Sequence, residues 1–199
     1  MKNSTRHHLK LSRVLVAFAA ILLVACAGGT IVLNLDILSF VSEQDTSTSY
    51  SATVPGTGTW IPVGGLIPPT KVDLLEGLGT AALMQEGTLS LVGQFDNQTG
   101  QADVRFDLFL GATAADATAS TTPIMSVEAS VQDATVTPVS GSTEVDKATL
   151  DLFSGNEVWL RVDIYARVPG GPALTTLSGT ANLTDLHARL LAKEDLIRQ

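Results

Sequence analysis

Apolar and polar residues alternate along several stretches of this chain, which is the pattern of a β-strand with one buried face. Ile31–Ile37 predicts the first such strand, and Met125–Val131 predicts a later one. Leu89–Phe95 and Val104–Leu110 alternate in the same way on either side of Asp96–Gly100. These two stretches predict a hairpin, because Asn and Gly in the segment between them suit the backbone angles of a turn.

A second hairpin is predicted around a turn at Ser154–Glu157, with Leu150 and Leu152 pairing against the strand from Val158 to Val168. Successive side chains of a strand point to opposite faces, so this strand has an apolar and a mixed face. The apolar face consists of Val158, Leu160, Val162, Ile164, Ala166 and Val168. The opposite face carries Trp159, Arg161, Asp163, Tyr165 and Arg167.

Many short strands with turn signals between them predict an all-β domain, either an antiparallel β-sandwich or a barrel-like variant. Residues 42–51 are polar and predict a loop. The C-terminal segment breaks the alternation, because Thr184 can cap a helix whose apolar face would contain Leu186, Leu190 and Ile197. The sequence therefore predicts a short helix over residues 184–197.

The first 25 residues have a different character. Basic residues at Lys2, Arg6, Lys10 and Arg13 precede an unbroken apolar run, which ends in Leu23-Val24-Ala25-Cys26. A basic segment, an apolar core and small residues, in that order, are typical of a secretory signal. Cys26 is the only cysteine in the chain.

This segment resembles a bacterial lipoprotein signal peptide. The resemblance implies cleavage before Cys26, lipidation of its sulfur and acylation of the new amino terminus with fatty acids such as palmitate. Residues 26–199 would then form one domain in the cell envelope, anchored through the N-terminal lipid. Ala27 implies the outer membrane in a Gram-negative cell. One alternative is an uncleaved helix over Val14–Leu33, but Gly28-Gly29 interrupts it and strand alternation begins at Ile31. Another is a leader without lipidation, in which Cys26 is an inert small residue.

Charge restricts the partners of the domain. The leader holds four of the 12 Lys and Arg residues and none of the 20 Asp and Glu residues, so the remainder has a formal charge of −12. A phosphate backbone would be repelled, which argues against nucleic acid as a partner. With Cys26 lipidated, no disulfide can form. The expected partners are the membrane, through the lipid, and a protein or polymer of the envelope.

No catalytic motif is present. The sequence contains no Gly-x-Ser-x-Gly elbow, no His-Glu-x-x-His and no phosphate-binding Gly-Lys-Ser/Thr loop. We therefore predict no catalytic residues and no cofactor. Asp96, Asn97 and Asp103 offer oxygen ligands of the kind that calcium prefers, but they lack the spacing of an EF-hand. A turn that uses Asp, Asn and Gly for its backbone geometry is the favoured interpretation, and a metal site is the lesser alternative.

Trp159, Arg161 and Tyr165 form the candidate binding face. Aromatic and arginine side chains on one sheet face can stack on sugar rings or anchor a protein partner. They can equally form cross-strand pairs within the sheet. The functional hypothesis is a lipid-anchored envelope protein with a non-catalytic binding or structural role. One alternative is an extracytoplasmic carbohydrate- or polymer-binding module, and another is a hydrolase that uses acidic residues.

Overall fold

A computed structural model describes residues 30–74, 84–155, 157–170 and 174–193. In this part of the chain, β-strands form two antiparallel sheets that pack face to face, which confirms the predicted all-β sandwich. The predicted signal peptide and Cys26 lie outside the described residues, as do residues 194–197 of the predicted helix.

Long strands account for most of the described chain. Two short α-helices are inserted between strands, α1 (Ala114–Ala119) and α2 (Lys147–Phe153). Two 3-10 helices, Leu38–Phe40 and Glu43–Thr46, connect the first two strands. The strands are β1 (Thr30–Asp36), β2 (Ser47–Pro55), β3 (Ile61–Asp73), β4 (Met84–Thr99), β5 (Ala102–Gly111), β6 (Met125–Val131), β7 (Thr135–Glu144), β8 (Glu157–Arg167) and β9 (Leu174–Lys193).

Strand β9 organises the first sheet, called here the β9 sheet. On one side, β1 pairs with its C-terminal half and β2 with its N-terminal half, and on the other side β4 separates it from β7. The second sheet, called the β8 sheet, has the order β3-β8-β5-β6. Thr30 pairs with Lys193 at one end of the sandwich, which we call the base. The connections from β4 to β5 and from β6 to β7 lie at the other end, which we call the tip.

The hydrophobic core lies between the two sheets. On β8 the inward side chains are at most 1% exposed, and the outward ones are partly exposed, as the alternation predicts. Phe95 of β4 and Phe106 of β5 stack across the sandwich with their ring centroids 4.4 Å apart. Burying an aliphatic or phenyl side chain of this size contributes about 1.5–3 kcal/mol. The inward residues of β8 are Val158, Leu160, Val162, Ile164 and Ala166.

The helix predicted over residues 184–197 is wrong for residues 184–193, which belong to β9. Leu186 and Leu190 fit a helical face, but the buried set also includes Ala188 and Ala192, and this spacing of two is that of a strand. A β-bulge at Thr184 shifts the alternation by one residue, because Val92 pairs with Asp185 and Gly93 with Leu183. Pairing with strands on both sides then outweighs local helix signals.

The first predicted hairpin has the correct strands but the wrong pairing. Strand β4 pairs with β7 and β9, and β5 pairs with β6 and β8, so the chain crosses from one sheet to the other at Gly100. A crossing of this kind turns the apolar faces of β4 and β5 toward each other across the core. In a hairpin, the same two faces would lie side by side in one sheet.

The second predicted hairpin is also wrong, because Leu150 and Leu152 lie in helix α2 instead of a strand. Leu150 and Phe153 are buried and three residues apart, so they share one face of the helix. The carboxylate of Asp146 accepts a hydrogen bond from the backbone N–H of Thr149 at 2.8 Å and caps the helix. The predicted loop over 42–51 is wrong for its second half, where Ser47 begins β2.

The strand assignment of β9 can be tested at Ala188, which is fully buried in the strand but would face away from Leu186 and Leu190 in a helix. Ala188→Asn should lower the free energy of unfolding by about 2–4 kcal/mol, because it forces a larger polar group into a packed core. Arg189→Asn, at the exposed neighbour, is the control and should change it by about 0.5 kcal/mol or less. Denaturant titration measures both, and a negligible loss for Ala188→Asn would contradict the strand.

Candidate binding face and tip cleft

The outward side chains of β5 and β8 form rows of directly opposite residues. Asp103 faces Arg167, Arg105 faces Tyr165, Asp107 faces Asp163, and Phe109 faces Arg161. Alternation within each strand predicts these faces, but only the sheet order brings the two strands together. The candidate residues Trp159, Arg161 and Tyr165 do share one face, as predicted.

Arg161 is held by contacts within the protein. Its guanidinium donates hydrogen bonds to the backbone carbonyls of Thr118 at 2.8 Å and Ser120 at 2.9 Å, both at the C-terminal end of α1. It also lies 4.2 Å from the ring centroid of Phe109, within cation–π distance. The Arg161 side chain is only 16% exposed, and its hydrogen bonds attach the end of α1 to the sheet.

Trp60, which no sequence pattern marks as part of this face, packs over it. Its ring centroid lies 4.3 Å from the guanidinium carbon of Arg105 and 4.4 Å from that of Arg167. Arg105 is also 5.3 Å from the ring of Tyr165. Trp60 directly precedes β3 in a segment rich in Gly and Pro, where no periodic pattern indicates which side of the sheet its side chain contacts. Together these contacts cover the end of the face nearest the tip.

Asp107 and Asp163 place two carboxylates opposite each other on neighbouring strands. Like charges in this position destabilise a sheet unless other groups compensate. Asp107 accepts hydrogen bonds from Ser126 Oγ at 2.6 Å and from Arg105 at 2.9 Å, and its side chain is only 2% exposed. The pKa of Asp163 is raised, mainly by burial. The positive charge of Arg161 opposes this rise, and the negative charge of Asp107 adds to it. Asp107 is therefore enclosed, whereas the side chain of Asp163 is 19% exposed.

Trp159 lies at the base end of the face. Its indole N–H donates to Glu157 Oε1 at 3.4 Å, and Lys71 contacts the carboxylates of Glu157 at 2.7 Å and Asp73 at 2.8 Å. The hydrogen bond from Lys71 is the main cause that lowers the pKa of Glu157. Tyr165 lies six positions after Trp159, or roughly 20 Å along a strand. The two aromatic rings therefore do not form one continuous stacking platform.

Two of the three candidate calcium ligands, Asn97 and Asp103, bind other groups of the protein. Asn97 is fully buried, and its amide nitrogen donates to the carbonyls of Gly100 at 2.6 Å and Gln132 at 2.9 Å. Its amide oxygen accepts from Tyr50 at 3.1 Å. Burial, followed by the charge of Asp96, raises the pKa of Tyr50 to about 12.

Asp103, the third candidate ligand, accepts from Ser130 Oγ at 2.6 Å and pairs with Arg167 at 3.0 Å. Within the described ranges, no group of three or more His, Cys, Asp and Glu side chains is arranged to hold a metal ion. Gly100 has a φ of +85°, which suits a turn, but the segment links the two sheets instead of closing a hairpin, and Asp103 makes its contacts from within β5.

A cleft of about 490 Å³ opens at the tip, beside Asp103. It lies among the connection from β4 to β5, the connection from β6 to β7, and the described residues that follow β8 and begin β9. Its lining combines amide, hydroxyl and carboxylate groups with small apolar side chains. The lining residues are Gln101, Ala102, Asp103, Ser130, Val131, Gln132, Val168, Pro169, Gly170 and Thr175.

No family model and no curated protein matches the chain. Among solved structures, it is similar to a chain in the structure of infectious bursal disease virus, Gx strain, with 11% identity and a TM-score of 0.42. A chain in the structure of the Gt strain gives 10% identity and a TM-score of 0.41. Each match covers 84% of this protein but only 34% and 38% of the viral chains. The protein thus spans little more than a third of their length.

No helix among the described residues is both long and apolar enough to cross a membrane. The described part of the chain is an antiparallel β-sandwich, an assignment that depends on its own strand pairing.

The raised pKa of Asp163 predicts a specific pH dependence of stability. The folded state binds the proton of the Asp163 carboxyl more tightly than the unfolded chain does. The resulting stabilisation is fully present below pH 3.8, the ordinary pKa of Asp, and is lost as the pH rises through the higher pKa of the folded state. Asp163→Asn removes this titration. The free energy of unfolding of the variant minus that of the parent should therefore increase from acid to neutral pH.

Chemical denaturation across this pH range measures the difference. Asp151→Asn is the control for loss of one negative charge, since the Asp151 side chain is 62% exposed. If the difference for Asp163→Asn decreases with pH, the raised pKa is refuted.

Proposed function

We propose that this protein is a lipid-anchored component of the bacterial cell envelope, in which the β-sandwich has a non-catalytic binding or structural role. The observation that carries the proposal is the Leu23-Val24-Ala25-Cys26 box, which ends a basic and apolar leader and contains the only cysteine. A chain with two or more acyl groups on one residue is stably attached to a membrane.

The position of β1 supports this proposal. Strand β1 begins at Thr30, four residues after Cys26, and four extended residues reach at most about 14 Å. A lipid on Cys26 would therefore hold the base of the sandwich beside the membrane surface. Strand β9 has 20 residues, so the tip would lie roughly 60 Å farther out. The domain would then present its tip, with the cleft, to the envelope space.

The pairing of charged groups on the β8 sheet supports a role without catalysis. A paired-carboxylate hydrolase needs one carboxyl group to protonate the leaving group and another to act as base or nucleophile, and both must reach the substrate. Asp107 is enclosed by Ser126 and Arg105, and Asp163 lies beside it. This arrangement is better suited to fixing the sheet than to acid–base chemistry.

The alternative of a carbohydrate- or polymer-binding module keeps one supporting feature, the aromatic side chains of β8. Arg161 is bound to the end of α1, whereas Tyr165 and Trp159 each have a single described partner, Arg105 and Glu157 respectively. The formal charge of −12 in residues 26–199 still disfavours nucleic acid and anionic polymers.

Lipidation is tested in a bacterial host that expresses the full chain. Mass spectrometry of the membrane fraction should identify an acylated peptide that starts at Cys26. Cys26→Ser should abolish this acylation, because no other residue of the chain carries a thiol. Thr30→Ser is a matched control that leaves the box intact. A mature protein that keeps its leader through Arg13, or an unmodified Cys26 in the membrane fraction, would contradict the proposal.

A further inference from the structure

We infer that the cleft at the tip is a binding site for an uncharged, N-acetylated saccharide. This inference deepens the proposed function and rests on it in one respect, since anchoring at Cys26 is what would turn the cleft toward the envelope space. The shape and chemistry of the cleft do not depend on the anchor.

Partly buried and exposed hydrogen bonds tie two sides of the cleft together. Asn97 ties the connection after β4 to the turn after β6, through the carbonyls of Gly100 and Gln132. Asp133 of that turn accepts a hydrogen bond from the N–H of Gly100 at 2.8 Å. Gly100 has a φ of +85°, and a side chain there would collide with the backbone of Thr176. A site with a fixed shape loses little entropy when a ligand binds.

The charge inside the cleft is already balanced. Asp103 is the one ionisable residue of the lining, and its two carboxylate oxygens accept from Ser130 and from Arg167. Neither a cation nor an anion would therefore find an uncompensated charge at Asp103. This balance favours an uncharged ligand.

The remaining polar groups suit hydroxyl and acetamide partners. Gln101 and Gln132 carry side-chain amides that make no hydrogen bond within the described part of the chain, and each offers two donors and an acceptor. Pro169 adds exposed apolar surface next to them, and the largely buried Val131 and Val168 also belong to the lining. A saccharide ring with an N-acetyl group presents hydroxyls and an amide on its edges, and C–H groups and a methyl on its faces.

The size of the cleft is also consistent with this ligand. Small-molecule sites commonly occupy about 300–1,000 Å³, and the tip cleft has about 490 Å³. The aromatic residues of the β8 sheet are a less suitable site, because Arg161 is bound to α1 and the rings of Trp159 and Tyr165 are far apart. The inference thus places saccharide binding at the tip, away from Trp159.

The test uses the full-length protein, purified from membranes in a detergent without a sugar headgroup, and titration calorimetry with the tetramer of N-acetylglucosamine. The parent protein should bind this probe. Gln101→Ala combined with Gln132→Ala should weaken binding by about tenfold or more, because two hydrogen-bonding groups are lost. The matched double variant Gln44→Ala with Gln85→Ala, at two exposed glutamines elsewhere, should stay within about twofold of the parent, as should Trp159→Ala.

Three outcomes would overturn the inference. The parent protein could fail to bind the tetramer at millimolar concentration, Trp159→Ala could abolish binding that the Gln101/Gln132 variant retains, or the uncharged peptide N-acetyl-tetraalanine amide could bind more tightly than the saccharide through the same glutamines. Circular dichroism of every variant establishes that the sandwich is folded. Because Cys26→Ser should bind the tetramer as the parent does, failure of the anchor and failure of the site can be distinguished.

Discussion

The side-chain amide of Asn97 holds the point at which the chain leaves one sheet and enters the other. It is fully buried and hydrogen-bonded to Gly100, Gln132 and Tyr50, so it joins β2, the end of β4 and the turn after β6. A buried polar group left without partners costs about 1–3 kcal/mol. These bonds therefore favour the crossing at Gly100 over a hairpin, and the crossing places the apolar faces of β4 and β5 on opposite sides of the core.

Much of the remaining architecture follows from this crossing. Since β4 and β5 belong to different sheets, β4 is free to pair with β7 and β9, and β5 with β6 and β8. The outward residues of β5 then meet those of β8, and the ion pairs and cation–π contacts of the β8 sheet form between these two strands. The same connections surround the tip cleft, so one buried hydrogen-bond group supports both the fold and the proposed binding site.

The sequence contained enough information to predict which residues of β8 face inward, because its alternation is unbroken from Val158 to Ala166. The partners of each strand could not be predicted, because alternation identifies the buried face of a strand but does not indicate to which sheet the strand belongs. The helix predicted after Thr184 is wrong because Leu186 and Leu190, four residues apart, can share one face of either a helix or a strand. The bulge at Thr184 also interrupts the alternation of β9, so the strand is not recognisable as continuous in the sequence.

The candidate site was predictable only in part. Trp159, Arg161 and Tyr165 share a face because of local alternation, but their partners Trp60, Arg105 and the carbonyls after α1 come from distant segments. The tip cleft is lined by two connections and by the described residues on either side of a third, and their meeting depends on the complete topology. No local pattern in the residues of those connections indicates that they lie together.

The most direct test of this account is the pairing of β4, measured by nuclear Overhauser effects between backbone protons of the folded protein. We expect contacts from Leu91 to Leu186 of β9 and to Gly141 of β7, which are its neighbours on either side. A ladder of backbone contacts between β4 and β5, as in a hairpin closed at Asp96–Gly100, would contradict the crossing at Gly100 and the two-sheet arrangement that depends on it.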